Sequence, residues 1–135
     1  MLYFAYGSNL NHHQMKNIRC LGSKYLKVFF LKDYKLKFCH PNKSNKFGYG
    51  NVIKKKGSKV VGAIWDITKK HEKILDNYEQ FPNIYQKKNF YLGGKKIMFY
   101  IMYKYFFKDP PKSYIDTINK GYEDCNIDLR INYRF

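Results

Sequence analysis

Two stretches of this chain carry residue types that could do chemistry together. The first is Tyr3-Phe4-Ala5-Tyr6-Gly7-Ser8-Asn9-Leu10, an apolar run broken by Gly-Ser-Asn. A buried strand feeding such a turn and then a helix exposes successive backbone N–H groups at one point. That arrangement attracts carboxylate or phosphate. It lacks the second glycine and the Lys-Ser/Thr of a nucleotide-binding P-loop, and an ordinary strand-to-helix turn has the same spacing. The second stretch is Ile74-Leu75-Asp76-Asn77-Tyr78-Glu79-Gln80-Phe81-Pro82-Asn83-Ile84-Tyr85. Glu79 falls where an amphipathic helix meets a proline-containing loop. A carboxylate there faces the negative end of the helix dipole, which raises its pKa and suits it to act as a base. A solvated glutamate at a fraying helix end would leave the same trace. Asp76 is the competing carboxylate, and it equally suits pairing with a lysine.

Other constellations are weaker. His12 and His13 are adjacent, so on a helix their side chains diverge and make a poor metal site. His40 beside Cys39 is a neighbour in sequence, not a dyad. Cys20, Cys39 and Cys125 are three widely spaced thiols with no Cys-x-x-Cys pair, which reads as buried and reduced. The lysines and aromatics of 100–108 could stack on bases, but alternation in a strand serves a core and its rim.

Composition bounds the setting. With 135 residues, 44% hydrophobic and 19% aromatic, the chain suits one packed domain over 1–135. The net charge of +16 points toward anionic partners. Most of that charge is lysine, whereas bidentate phosphate or guanine contacts favour arginine. The abundance of Lys, Asn, Ile, Tyr and Phe matches AT-rich coding. No nucleic-acid partner is therefore expected. No apolar stretch is long enough to span a bilayer, and the first residues lack the features of a signal peptide. A cytoplasmic protein without membrane association is the expectation.

The elements that must position these residues follow from periodicity and turn chemistry. Leu2–Tyr6 reads as a buried strand, and Asn11 as the cap of a helix to about Arg19, with Met15 and Ile18 sharing a face. Tyr25–Leu31 and Tyr34–Cys39 read as strands turning at Lys32-Asp33. Asn51–Lys54 and Lys59–Asp66 read as strands turning at Lys56-Gly57, after a loop over Pro41–Gly50. Thr68 caps a helix running to about Tyr78. Tyr85–Leu92 and Lys95–Tyr103 form a hairpin around Gly93-Gly94. A final helix, Tyr114–Lys120, follows Asp109-Pro110-Pro111 and stops at Gly121. Strands with a few short helices predict an α+β fold.

At the two chemical stretches the sequence resembles the γ-glutamylcyclotransferase superfamily, including the AIG2-like proteins. Tyr3–Leu10 is similar to the family's N-terminal motif. Asp33–Phe38, Gly48–Ile53 and Val60–Ile67 resemble successive later blocks. Leu75-Asp76 with Glu79 and Tyr85 resembles the L-D-x-x-E…Y stretch, and Pro111, Tyr114 and Gly121 resemble the closing P…Y…G. The resemblance implies a small mixed closed β-barrel flanked by short helices. It implies an enzyme that releases 5-oxoproline from a small γ-glutamyl amine or amino acid, with no metal or organic cofactor. It gives Glu79 the acid/base role and assigns substrate binding to Tyr3, Phe4, Ala5, Tyr6, Gly7, Ser8, Asn9, Tyr85 and Tyr114. A catalytically quiet ligand-binding member of the same fold, or a basic protein associated with nucleic acid, is the alternative. One departure stands out: Gln80 follows the glutamate where the family often has glycine, so a side chain there narrows the pocket or shifts the loop.

Overall fold

The computed structural model describes residues 1–133. The chain forms β1 (Leu2–Ala5), a 3-10 turn (Ser8–Leu10), a π-helical segment (Gln14–Arg19), β2 (Lys24–His40) and β3 (Tyr49–Asp66). Helix α1 (Lys69–Tyr78), β4 (Gln86–Leu92), β5 (Lys95–Ile101), β6 (Phe106–Phe107) and α2 (Lys112–Asp124) follow. One mixed sheet of six strands runs in the order β4-β5-β1-β3-β2-β6 and curls as a half-barrel with the helices beside it. The α+β class read from the sequence is the class observed. Strands β4 and β6 remain the two edges of the sheet among the described residues.

Strand β1 lies inside this sheet, antiparallel to β3 and parallel to β5. Its unbroken apolar character follows, because side chains alternate between two faces and both faces are covered. Phe4 packs with Val52, Ile64, Ile97 and Phe99 on one face. Tyr3 and Ala5 face the opposite way, against Leu10, Leu75, Ile118 and Tyr122. Truncating a core aromatic such as the fully buried Phe4 typically costs about 3–5 kcal/mol.

Two expected hairpins are absent. β2 and β3 are continuous strands that pair with each other from Lys24↔Asp66 to Cys39↔Tyr49. Lys32-Asp33 and Lys56-Gly57, read as separate turns, are the two sides of one bend. Asp33 has φ 64° and Gly57 has φ 86°, and the Gly57 N–H donates to Asp33 Oδ1 at 3.0 Å. Register jumps there, with Lys32 facing Lys59 and Tyr34 facing Lys54. A bulge of this kind bends and twists a ribbon instead of ending it.

The helical segments also depart in part from expectation. Asn11 Oδ1 accepts from the Gln14 N–H at 2.9 Å, as a cap should. The winding that follows is wider than an α-helix, with the Cys20 N–H donating to Met15 O at 2.8 Å. Met15 and Cys20 are therefore the buried pair, and Ile18 is 57% exposed. Thr68 caps α1 as expected, through a reciprocal pair with His71 at 3.1 Å in each direction. The Gly93-Gly94 hairpin is present with both glycines at positive φ, as a two-residue I′ turn requires. Gly121 does not stop the last helix, which runs on to Asp124. A Cβ on Gly121 would lie 2.6 Å from Leu10 Cβ and 2.7 Å from the Asn11 nitrogen. The glycine is there for close approach, and it seats α2 on the turn that follows β1. Among the described residues no helix is long and apolar enough to cross a membrane.

Candidate active site

The end of β1 and the end of α1 meet at a cavity of about 500 Å³. From the first come Tyr3, Tyr6, Gly7, Ser8 and Asn9; from the second come Tyr78, Glu79 and Gln80. Tyr85 and Tyr114, also expected from the sequence, line it too. Phe4 and Ala5 are not among the lining residues. Both are buried in the core, on opposite faces of β1, and neither reaches the cavity.

The Gly-Ser-Asn turn is held from inside. Asn9 is 3% exposed and its amide is engaged at both its nitrogen and its oxygen. Nδ2 donates to Tyr3 Oη at 2.9 Å, while Oδ1 accepts from Gln14 Nε2 at 2.8 Å and from Arg19 Nη1 at 3.1 Å. Gln14 Nε2 also donates to Ser8 Oγ at 2.9 Å. Gly7 leaves room for the Tyr114 hydroxyl. A Cβ there would meet Tyr114 Oη at 3.0 Å, and one on Gly50 would meet the same oxygen at 2.9 Å. The Tyr114 hydroxyl sits between two glycines and accepts from the Gly50 N–H at 2.9 Å. Opposite it, Tyr85 Oη donates to Gly50 O at 2.6 Å and Tyr6 Oη donates to Tyr100 O at 2.7 Å. Burial raises the pKa of all four tyrosines Tyr3, Tyr6, Tyr85 and Tyr114, and the nearby Glu79 charge adds to the rise. They remain neutral hydroxyls that can orient a ligand.

Glu79 is the C-cap residue of α1, its N–H bonded to Leu75 O at 2.8 Å. Gln80 then takes a left-handed conformation, φ 49°, and the chain continues through a cis Phe81-Pro82 bond. This sharp stop leaves the Glu79 side chain at the cavity rather than along the helix. Burial pushes its carboxyl from the ordinary 4.5 up to about 7, and the positive charge of Arg19 opposes the rise. Loss of water, more than the helix dipole favoured by the sequence argument, is the larger cause. Among the described residues no hydrogen bond or ion pair holds this carboxylate.

Asp76 is otherwise employed. It accepts from Tyr100 Oη at 2.6 Å and pairs with Lys87 at 2.8 Å, and Lys87 also contacts Glu72 at 2.9 Å. It is absent from the cavity lining.

Sequence reasoning missed Arg19 and Tyr78. The guanidinium carbon lies 4.2 Å from the centroid of the Tyr78 ring, and both residues line the cavity. The available signal was composition: arginines are rare in this lysine-rich chain, and this one ends the helical segment that follows the Gly-Ser-Asn turn. No group of three His, Cys, Asp or Glu side chains able to hold a metal ion occurs among the described residues.

Comparison with known proteins bears on the family and the fold. A family model described as gamma-glutamyl cyclotransferase, AIG2-like, matches residues 3–122. A bovine gamma-glutamylcyclotransferase is 33% identical over 82 residues, 58% of this chain and 43% of that protein. The match thus spans under half of the bovine relative's length. A solved gamma-glutamyl cyclotransferase superposes with TM-score 0.82 at 26% identity, covering 95% of this chain and 81% of that one. A human structure described as an uncharacterized protein superposes with TM-score 0.81 at 27% identity and the same coverage. With residues 3–122 under that family model, the chain belongs to the gamma-glutamyl cyclotransferase, AIG2-like family.

Proposed function

We propose that the chain is a γ-glutamylcyclotransferase that releases 5-oxoproline from a small γ-glutamyl compound, with Glu79 as the acid/base. One observation carries this reading. Glu79 is a half-buried carboxylate without a protein partner among the described residues, and it shares a cavity with the Gly7–Asn9 turn.

The α-amine of a γ-glutamyl group has an unperturbed pKa near ~8 and is largely ammonium at neutral pH. Glu79, at about 7, is close enough to that value to hold the ammonium and accept its proton. The freed amine nitrogen then attacks the γ-carbonyl carbon of the same molecule. A C–N bond forms, and the carbonyl π electrons move to oxygen. Glu79 passes that first proton to the departing nitrogen, whose bond to carbon breaks as the tetrahedral species collapses and the carbonyl re-forms. The carboxylate so regenerated takes the second proton from the ring nitrogen, leaving a neutral lactam, and releases it to the departing amine. The attack is intramolecular, so the cavity has only to hold the bent conformer. Backbone N–H groups along Tyr6–Asn9 are suited to the α-carboxylate or to the developing oxyanion. Tyr3, Tyr85 and Tyr114 wall the glutamyl portion.

The test is direct. The purified chain incubated with γ-glutamyl-alanine yields 5-oxoproline and alanine in equal amounts, measured by mass spectrometry. Saturable binding with no 5-oxoproline, across a panel of γ-glutamyl amines and amino acids, would instead make it a binding member of the fold.

A further inference from the structure

Away from the cavity, the positive charge of the chain is gathered on the long ribbon of β2 and β3. Five lysines lie on β2 and four on β3, with no arginine on either strand. The ribbon has two carboxylates, Asp33 and Asp66. Asp33 accepts from the Gly57 N–H, and Asp66 lies 3.4 Å from the Met1 amino group. Among the described residues no ion pair includes any lysine of the ribbon.

Alternation sorts these side chains by face. Phe29, Leu31, Tyr34, Leu36, Val52 and Val60 pack on one side, in the cluster around Phe4. Phe30, Lys32, Lys35, Lys37, Lys55 and Lys59 are left to the other. Contacts link them along that face. Lys32 stands opposite Lys59, whose Nζ lies 4.7 Å from the Phe30 ring centroid. Lys37 and Lys55 crowd Lys35 and lower its pKa. At the far end Lys37 Nζ lies 5.8 Å from the ring of Phe107 on β6. The two phenylalanines are 47% and 63% exposed.

Like charges facing one another weaken a sheet, so folding does not account for this grouping. Lysines do guard open strand edges against unwanted pairing, but exposed phenylalanines at both ends work against that purpose. The partner that fits is broad, anionic and able to accept apolar rings. Arginine, which bidentate contacts to nucleic-acid phosphates favour, is missing. Lysine clusters beside exposed rings suit a bilayer surface, with ammonium groups at anionic headgroups and rings at the acyl boundary. Such contact needs no spanning segment.

We propose that this face of β2 and β3 docks the protein on the anionic surface of a lipid bilayer, its lysines against the headgroups and Phe30 and Phe107 inserted between them. The proposal is independent of the cyclotransferase reading.

The test is co-sedimentation of the purified chain with vesicles of phosphatidylcholine alone and of phosphatidylcholine mixed with phosphatidylserine. Binding is expected only with phosphatidylserine, and should fall as salt rises. Each lysine at such a surface is worth roughly fivefold in affinity, so Lys35→Gln, Lys37→Gln and Lys55→Gln together should weaken binding about 100-fold. Lys69→Gln, Lys70→Gln and Lys73→Gln together remove the same charge from exposed positions of α1. That control should stay within about threefold of the native chain, because distant charges are screened. Phe30→Ser with Phe107→Ser should cost about tenfold. Thermal melting checks that each variant is folded. No binding to phosphatidylserine vesicles would overturn the proposal. Equal weakening by the two lysine triples would also overturn it, by reducing the attraction to net charge. Tighter capture of a single-stranded oligonucleotide than of vesicles, lost in the first triple, would assign the face to nucleic acid instead. Unchanged binding of the phenylalanine variant would overturn the insertion.

Discussion

Two carboxylates less than one turn apart on the same helix end have opposite fates in this molecule. Asp76 accepts from Tyr100 Oη and pairs with Lys87, so its charge is satisfied by the protein. Glu79 has no such partner among the described residues, and burial pushes it up to about 7. The first ties α1 to the β4-β5 hairpin. The second is held at a cost in stability, as expected of a group kept ready for a ligand. Satisfaction by neighbours, more than position on the helix, separates the structural acid from the candidate catalytic one.

The largest expected effect breaks the comparison at its functional end. Glu79→Gln should lower 5-oxoproline release by about 10³-fold or more with the fold intact, the usual scale for removing a general acid/base. Asp76→Asn should retain turnover within an order of magnitude, measured in the same assay. Equal losses in the two variants would erase the distinction.

Stability should respond in the reverse sense. Asp76→Asn leaves Lys87 and Tyr100 with a weaker acceptor, and should lower unfolding free energy by about 2 kcal/mol in urea titration. Glu79→Gln should gain on the order of 2 kcal/mol above pH 7. The sign follows from linkage. The folded carboxyl holds its proton up to about 7 and the unfolded one only to about 4.5, so the native chain loses stability as pH rises between them. The variant's gain should accordingly vanish below pH 4.5 and level off above 7.

The smallest effect sharpens the view of how Glu79 is aimed. Gln80 carries a side chain at φ 49°, where glycine is favoured by about 1 kcal/mol. Gln80→Gly should raise stability by about that amount in the same titration. A loss instead would mean that the Gln80 side chain, which lines the cavity, makes contacts that outweigh the strain.

Much of this was legible beforehand, because it rests on local chemistry. The Thr68 cap, the Gly93-Gly94 hairpin and the buried β1 followed from residue types a few positions apart. The paired bend of β2 and β3 did not. Asp33 and Gly57 have the same turn chemistry whether a strand reverses or bulges, and the long-range pairing chooses between them. Gly121 misled for a related reason, since a glycine that ends a helix and one that admits a neighbouring backbone look alike in one dimension. At the site, Glu79 and the Gly-Ser-Asn turn could be named, but Arg19 could not. Its place at the cavity depends on a π-helical segment whose wider winding no apolar periodicity announced. Phe4 and Ala5 were included because they lie within the motif, but both pack in the core on either face of β1.

The most direct measurement is a 13C NMR titration of the Glu79 side-chain carboxyl, with and without 5-oxoproline. The account predicts a midpoint near 7 and a clear change when 5-oxoproline binds. A midpoint near the ordinary 4.5, unchanged by 5-oxoproline, would mean a carboxylate in open water and would contradict the account.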